Sequence, residues 1–319
     1  MNADAPRRPA SAGVRTLTVG PDDAGQRVDN FVLRALRGVP RTRVYRLLRR
    51  GEVRVNRGRV KPARRLEAGD VVRLPPVQAE RHAEGRLPAE LLERLRNAVL
   101  YEDDRVLVID KPAGLAVHAG TGLGGGVVDA LRRLRPDIER LELVHRLDRG
   151  TSGCLMLAKG RRALRALQGE LRAGGFEKDY RAVLLGDWPG PETLIEAPLR
   201  RERRHSGERV VRIDPAGRAA RSRFRRMRGA RGMTLVDVRI DTGRTHQIRV
   251  HAAHLGHPVV GDAKYGDRGR ERDLLGRDAP RLFLHAHRLG FTGAEGPVRV
   301  ESPVPPGFDT LLSGEGESR

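Results

Sequence analysis

His145-Arg146-Leu147-Asp148-Arg149-Gly150-Thr151-Ser152-Gly153 sets one carboxylate between two arginines in a short turn that ends in small residues. Positive charge on both sides favours the ionised form of that carboxylate. A fixed, ionised carboxylate is a competent nucleophile toward a sugar or a base. The same triplet also occurs as an ordinary salt bridge at a surface turn, and spacing alone leaves both readings open. The apolar run that follows, Cys154–Ala158, reads as core, with a strand over Leu155–Leu157.

Around this stretch, the 319-residue chain is long enough for about two domains, and 38% hydrophobic residues permit a packed core. Sixty-two Lys and Arg against forty-one Asp and Glu give a net charge of +21, which predicts attraction to a polyanion. Only five of the basic residues are Lys, so an arginine-rich proteome accounts for part of the excess but not for its clustering. Cys154 is the single cysteine, so no internal disulfide forms, and a lone thiol suits a reducing compartment. The start, MNADAPRRPASAGVR, has no apolar core of a signal peptide, and no apolar run nears the roughly 20 residues of a membrane span. The expectation is a cytoplasmic protein with no membrane partner.

Residues 1–14, rich in Pro, Ala and Arg, read as a disordered tail. A small module follows over 15–76. Val28, Phe31, Val32, Ala35 and Leu36 recur at helical spacing, with Gly38 as stop signal and Pro40 opening the next element. Val44, Leu47 and Leu48 mark a second helix closed by Gly51, and short strands are predicted at Val53–Val55 and Val71–Leu74. From Arg37 to Leu66 there are twelve basic residues and one acid, Glu52, which makes the helix pair a phosphate-binding face. Arg41, Arg43, Arg46, Arg49, Arg50, Arg54, Arg57, Arg59 and Lys61 are its candidate RNA contacts. Residues 77–97 read as a polar linker with a short helix at Ala89–Arg96.

From 98 to 308 the pattern changes to short β runs: Val106–Ile109, Tyr180–Leu185, Ser222–Met227, Thr234–Ile240 and Leu282–Leu284. Helices are predicted at Val127–Arg135, Arg161–Arg172 and Thr245–Leu255. Irregular helix spacing favours an α+β domain with a mixed, largely antiparallel sheet flanked by helices and loops over regular βαβ winding. Residues 309–319 read as a second disordered tail.

The quoted stretch resembles the catalytic motif of the RluA family of RNA pseudouridine synthases. Further segments match in the family's order: Lys111-Pro112-Ala113-Gly114, Phe176–Tyr180, Gly243-Arg244-Thr245-His246-Gln247-Ile248-Arg249-Val250-His251 and Leu282–Ala286. The N-terminal module resembles an S4 RNA-binding domain through Gln26–Asp29, Gly51–Asn56 and Gly69–Val72. The whole-chain pattern is most similar to the bacterial members that modify large-subunit ribosomal RNA. The resemblance implies isomerisation of uridine in 23S rRNA or in a large-subunit assembly intermediate, by a monomer with no cofactor. It implies Asp148 as nucleophile, Arg244 as its ion-pair partner and Tyr180 against the base. It assigns Arg146, Lys111 and Leu284 to substrate binding, Arg146 entering the stack that the flipped base leaves. The family motif is often acidic at position 150, where this chain has Gly150.

His246, His251, His254 and His257 form no recognised metal-ligand spacing, and no metal is expected. Gly120–Gly126 lacks the Gly-Lys-Ser/Thr end of a P-loop and reads as a flexible loop near the RNA. Three rivals stay in view: a synthase acting on another rRNA position or a tRNA, an idle S4 RNA chaperone, and a glycosidase-like hydrolase. The last normally needs two carboxylates flanking the scissile bond.

Overall fold

The computed structural model describes residues 13–36, 38–77, 89–117, 126–204 and 207–314. The Gly120–Gly126 stretch apart from Gly126, residues 1–12 of the first predicted tail and residues 315–319 of the second lie outside these residues. The chain forms two compact units that part between residues 86 and 87.

In the N-terminal unit, helices Val28–Ala35 and Arg41–Arg50 pack on a four-stranded antiparallel sheet. The sheet order is Arg15–Thr18, Val71–Leu74, Arg54–Val55, Gly58–Arg59. The predicted apolar stripe forms the core: Val28, Val32, Val44, Leu48 and Val72 are each at most 3% exposed. Gly51 ends the second helix at φ +71°, the left-handed turn that glycine adopts without strain. Of the nine candidate RNA contacts eight are exposed, and Arg43 is half-buried.

The C-terminal unit is built on a ten-stranded sheet whose main path runs Glu192–Glu196, Arg221–Ala230, Met233–Ile240, Glu177–Leu185, Leu284–Thr292, Ser152–Lys159, Val106–Lys111, Val99–Glu102. Every pair along it is antiparallel except Leu284–Thr292 with Ser152–Lys159, which is parallel through His285–Ser152 and Ala286–Gly153. A separate hairpin, Leu199–Arg203 with Arg209–Ile213, stands off this sheet. The predicted helices form over Val127–Leu134, Arg161–Arg172 and Gln247–His254.

Two predicted boundaries are corrected. Helix Ala89–Arg96, assigned to the linker, sinks Leu95 into the core beside Leu107, Ile109 and Leu131, with Leu91 and Leu92 packed against it. Residues 89–97 therefore belong to the C-terminal unit. The tail expected from 309 begins inside helix Gly307–Ser313, where Phe308 and Leu312 are 1% and 3% exposed. Phe308, Leu311 and Leu312 share one helical face and cover Val183, Leu185 and Phe283.

Strand alternation divides the sheet's two faces. Tyr180, Ala182 and Leu184 join Val238, Ile240 and Leu284 on one side. Asp179 and Arg181 point to the other, where arginines alternate with acids across the strands. Asp237 pairs with Arg225 at 2.7 Å and Arg181 at 3.1 Å. Asp179 pairs with Arg239 at 2.6 Å and Arg288 at 3.6 Å, and Arg288 continues to Glu301 at 2.7 Å.

Candidate active site

Asp148 lies in the loop between strands Leu141–Leu143 and Ser152–Lys159, just before the parallel junction. The junction explains the glycine that closes the motif. Gly153 has φ +105°, and a Cβ there would sit 2.7 Å from the carbonyl carbon and nitrogen of Ala286. Ser152 is anchored at the same level: its Oγ is 2.9 Å from His285 Nδ1 and accepts from Arg281 at 2.6 Å. A Cβ at Gly150 would meet Leu282 at 3.1 Å, so the side chain common at this position in the family motif has little room here.

Lys111 is fully buried, and its Nζ donates to the carbonyls of Pro112, Leu115 and Arg149 at 2.9, 3.0 and 3.3 Å. Gly114 N–H donates to the Arg149 carbonyl at 2.9 Å, and Arg149 Nε returns a bond to the Gly114 carbonyl at 2.8 Å. The sequence reading set Lys111 against substrate. The structure instead makes it the tie between two loops, because its ammonium is consumed by backbone oxygens. Burial, helped by the nearby Arg281 charge, pushes its pKa down to about 7.

Asp148 Oδ2 stands 3.2 Å from Arg249 NH1. Arg249 also grips Asp262 with two bonds of 2.7 Å. The Asp262 side chain is 0% exposed and accepts from the N–H groups of Lys264 and Tyr265. The Tyr265 ring lies 5.1 Å from the Arg249 guanidinium. Burial opposes the charge of Arg249, but Asp262 and then Asp148 outweigh it and raise its pKa above the ordinary value. His246 completes the group, with Nε2 3.8 Å from Asp148 Oδ2 and Nδ1 2.7 Å from Tyr265 Oη.

The cation beside Asp148 is therefore Arg249, which the sequence reading passed over in favour of Arg244. Arg244 lines the same cleft, but its Nε donates to the Ala219 carbonyl at 2.9 Å. The chain turns at His246, in the left-handed region at φ +55°, before helix Gln247–His254 begins. Arg249 is carried on the first turns of that helix and reaches the loop, whereas Arg244 precedes the turn. The flanking arginines do not hold Asp148 either: Arg149 is bonded to Gly114, and Arg146 is exposed at the rim. Tyr180 and Leu284 line the cleft with Asp148, and Arg201 enters it from the hairpin. Packing raises the Tyr180 phenol above its ordinary pKa, with the Asp148 charge acting in the same direction. His145 is structural: its Nε2 accepts from Met156 N–H at 3.1 Å, and burial pushes its pKa down to about 4.

The sequence profile of RNA pseudouridylate synthases matches residues 105–254, and that of S4 domains matches 26–72. "Ribosomal large subunit pseudouridine synthase C" of Escherichia coli K12 is 48% identical over 305 residues, 94% of this chain and 96% of the relative. The chain belongs to the RNA pseudouridylate synthase family. The protein of the same name from Pasteurella multocida is 43% identical over 98% of this synthase and 97% of its own length. The solved structure of human RNA pseudouridylate synthase domain containing 4 superposes with a TM-score of 0.58 at 26% identity, over 70% of this chain and 95% of that one. The synthase fold is thus α+β, an S4 domain followed by a mixed-sheet synthase domain that carries the Asp148 cleft.

Proposed function

We propose that this synthase converts uridines of 23S rRNA to pseudouridine, with Asp148 as the nucleophile. The observation that carries the assignment is that, among the described residues, Asp148 is the one carboxylate lining the cleft and is ion-paired to Arg249. The second acid nearby, Asp262, is sealed against Arg249, which disfavours the two-carboxylate chemistry of a hydrolase. The ribosomal substrate rests on the near full-length likeness to proteins named for the large subunit.

In the reaction the C1′–N1 bond breaks, the uracil turns, and a C5–C1′ bond forms. The C5 proton leaves to water and N1 gains one, so no electrons are exchanged and no cofactor or metal is called for. Arg249 orients and balances the Asp148 carboxylate. Tyr180 and Leu284 hold the base, and stacking on a ring contributes about 1–3 kcal/mol. Arg146, exposed at the rim, fills the gap left by the extruded base, a step that costs a few kcal/mol. Arg244 serves as a phosphate contact at the cleft. The exposed arginines of the S4 domain anchor the RNA backbone. In this reading the enzyme works as a monomer in the cytoplasm, with domain limits near 13–77 and 89–314.

The test is tritium release from 23S rRNA and from large-subunit precursor particles carrying [5-³H]uridine. Wild type releases tritium without free uracil, and Asp148→Ala does not. Release of free uracil would mean hydrolysis, and binding without release from either RNA would favour a chaperone.

A further inference from the structure

We propose that His246 is a positioning residue that holds the Asp148 carboxylate through its Nε2–H, in a tautomer fixed by Tyr265 and, behind it, by the hairpin residue Val211. This rests on Asp148 acting as the nucleophile.

Val211 N–H donates to Tyr265 Oη at 3.0 Å. That bond uses an oxygen lone pair and leaves the phenolic hydrogen to be placed. The nitrogen 2.7 Å away, His246 Nδ1, is an acceptor for it. A neutral imidazole that accepts at Nδ1 carries its hydrogen on Nε2. Nε2 faces Asp148 Oδ2 at 3.8 Å, a charge–dipole distance that a small side-chain rotation turns into a hydrogen bond. The opposite tautomer would aim an imidazole lone pair at a carboxylate, so both ends of the ring favour the same hydrogen placement.

The charged groups around the ring agree. Burial first, then Arg249 and Lys264, disfavour the imidazolium, while Asp148 and Asp262 favour it. The balance lowers the His246 pKa and keeps the ring neutral, as a fixed tautomer requires. His246 also takes the left-handed conformation at φ +55°, uncommon for a residue with a side chain, and this turn sets the ring between Tyr265 and Asp148. The hairpin touches the same turn a second time, since Arg201 donates to the Thr245 hydroxyl. A displacement of the hairpin therefore reaches the nucleophile through Val211, Tyr265 and His246.

The experiment uses the full-length enzyme and [5-³H]uridine-labelled 23S rRNA or precursor particles, whichever wild type converts, under single-turnover conditions. Wild type is compared with His246→Ala, His246→Gln, Tyr265→Phe and Asp148→Ala, each checked by thermal unfolding. His246→Ala is expected to slow tritium release by about 10²-fold, the scale of a misplaced reacting group, with the RNA Kd within about twofold. His246→Gln keeps a donor at a similar reach and is expected to recover about tenfold of that loss, with Tyr265→Phe intermediate. Imidazole ¹⁵N spectra are expected to show the hydrogen on Nε2 in wild type and a mixture of tautomers in Tyr265→Phe. His246→Ala at the wild-type rate, His246→Gln as slow as His246→Ala, or a hydrogen on Nδ1 would each overturn the proposal. If His246→Ala fails to fold, the Gln and Phe variants and the wild-type spectrum decide. Tritium release by Asp148→Ala would instead refute the nucleophile assignment, whereas an inactive Asp148→Ala with an active His246→Ala would refute the His246 role alone.

Discussion

Replacing Gly153 with Ala tests whether the parallel junction is the rigid seat of the Asp148 loop. Two costs add at this position. A side chain at φ +105° is strained, which costs about 1–3 kcal/mol. The new Cβ also presses on the Ala286 backbone at 2.7 Å, and a backbone in the centre of a sheet cannot rotate away. Overpacking of this kind costs about another 1–3 kcal/mol. Gly160→Ala is the control: its φ is +93° and a Cβ there meets nothing within 4 Å, so it incurs only the first cost. For a unit of this size each kcal/mol moves Tm by about 2–4 °C, so Gly153→Ala should unfold about 2–12 °C below Gly160→Ala. Calorimetry reads this difference directly. The turnover of Gly153→Ala should fall as well, because the strands are forced apart beside Ser152 and its His285 contact, while Gly160→Ala keeps its rate. Equal unfolding temperatures and equal turnover in the two variants would refute the idea that this contact holds the loop.

Arg249→Met should abolish tritium release and destabilise the fold by about 3–5 kcal/mol in urea unfolding, since it strands the buried Asp262 charge. Arg249→Lys should recover little, because an ammonium cannot fork both Asp262 oxygens and reach Asp148. The lowered pKa of Lys111 sets a pH dependence. Between about 7 and its ordinary 10.5 the unfolded chain binds more protons than the folded one, so this group makes stability rise with pH across that window. Urea unfolding at both ends of the window should show the rise in wild type and its loss in Lys111→Met. In the S4 domain, Arg46→Ala and Arg49→Ala should each reduce the slope of log K against log salt by up to about 1, leaving the single-turnover rate at saturating RNA unchanged.

Secondary structure was legible where local chemistry decides it. The stripe Val28–Leu36, the Gly51 stop and the helix Arg161–Arg172 need only periodicity and capping, and they stand where the sequence put them. The cleft was legible in outline, since Asp148, Tyr180, Arg244 and Leu284 all line it. The sequence did not reveal which groups meet inside it. Gly243–His251 holds two arginines five residues apart, and only the turn at His246 decides that Arg249 reaches the carboxylate. A usable signal was Asp262, an acid followed two and three residues on by Lys264 and Tyr265, as in an Asx turn beside a buried arginine. Lys111 was set against substrate through the resemblance of Lys111-Pro112-Ala113-Gly114 alone, whereas lysine burial is rare and the three carbonyls that bury it come from two separate loops. The last helix was missed because Gly307 and the run after Ser313 resemble a frayed end, while its reason to fold is the apolar patch around Phe283.

The ladder of Asp237, Asp179 and Glu301 among Arg225, Arg239 and Arg288 has a consequence for how this synthase domain meets a polyanion. Those arginines count toward +21, but each stands against an acid that offsets much of its charge locally. On the Tyr180 side, Arg201 and Arg244 bond neutral oxygens and keep their charge. Positive charge left without an acid beside the cleft turns the domain as well as attracting it in the field of an RNA. Within a Debye length of about 8 Å it would arrive already turned cleft-first, shortening the search over orientations that precedes contact.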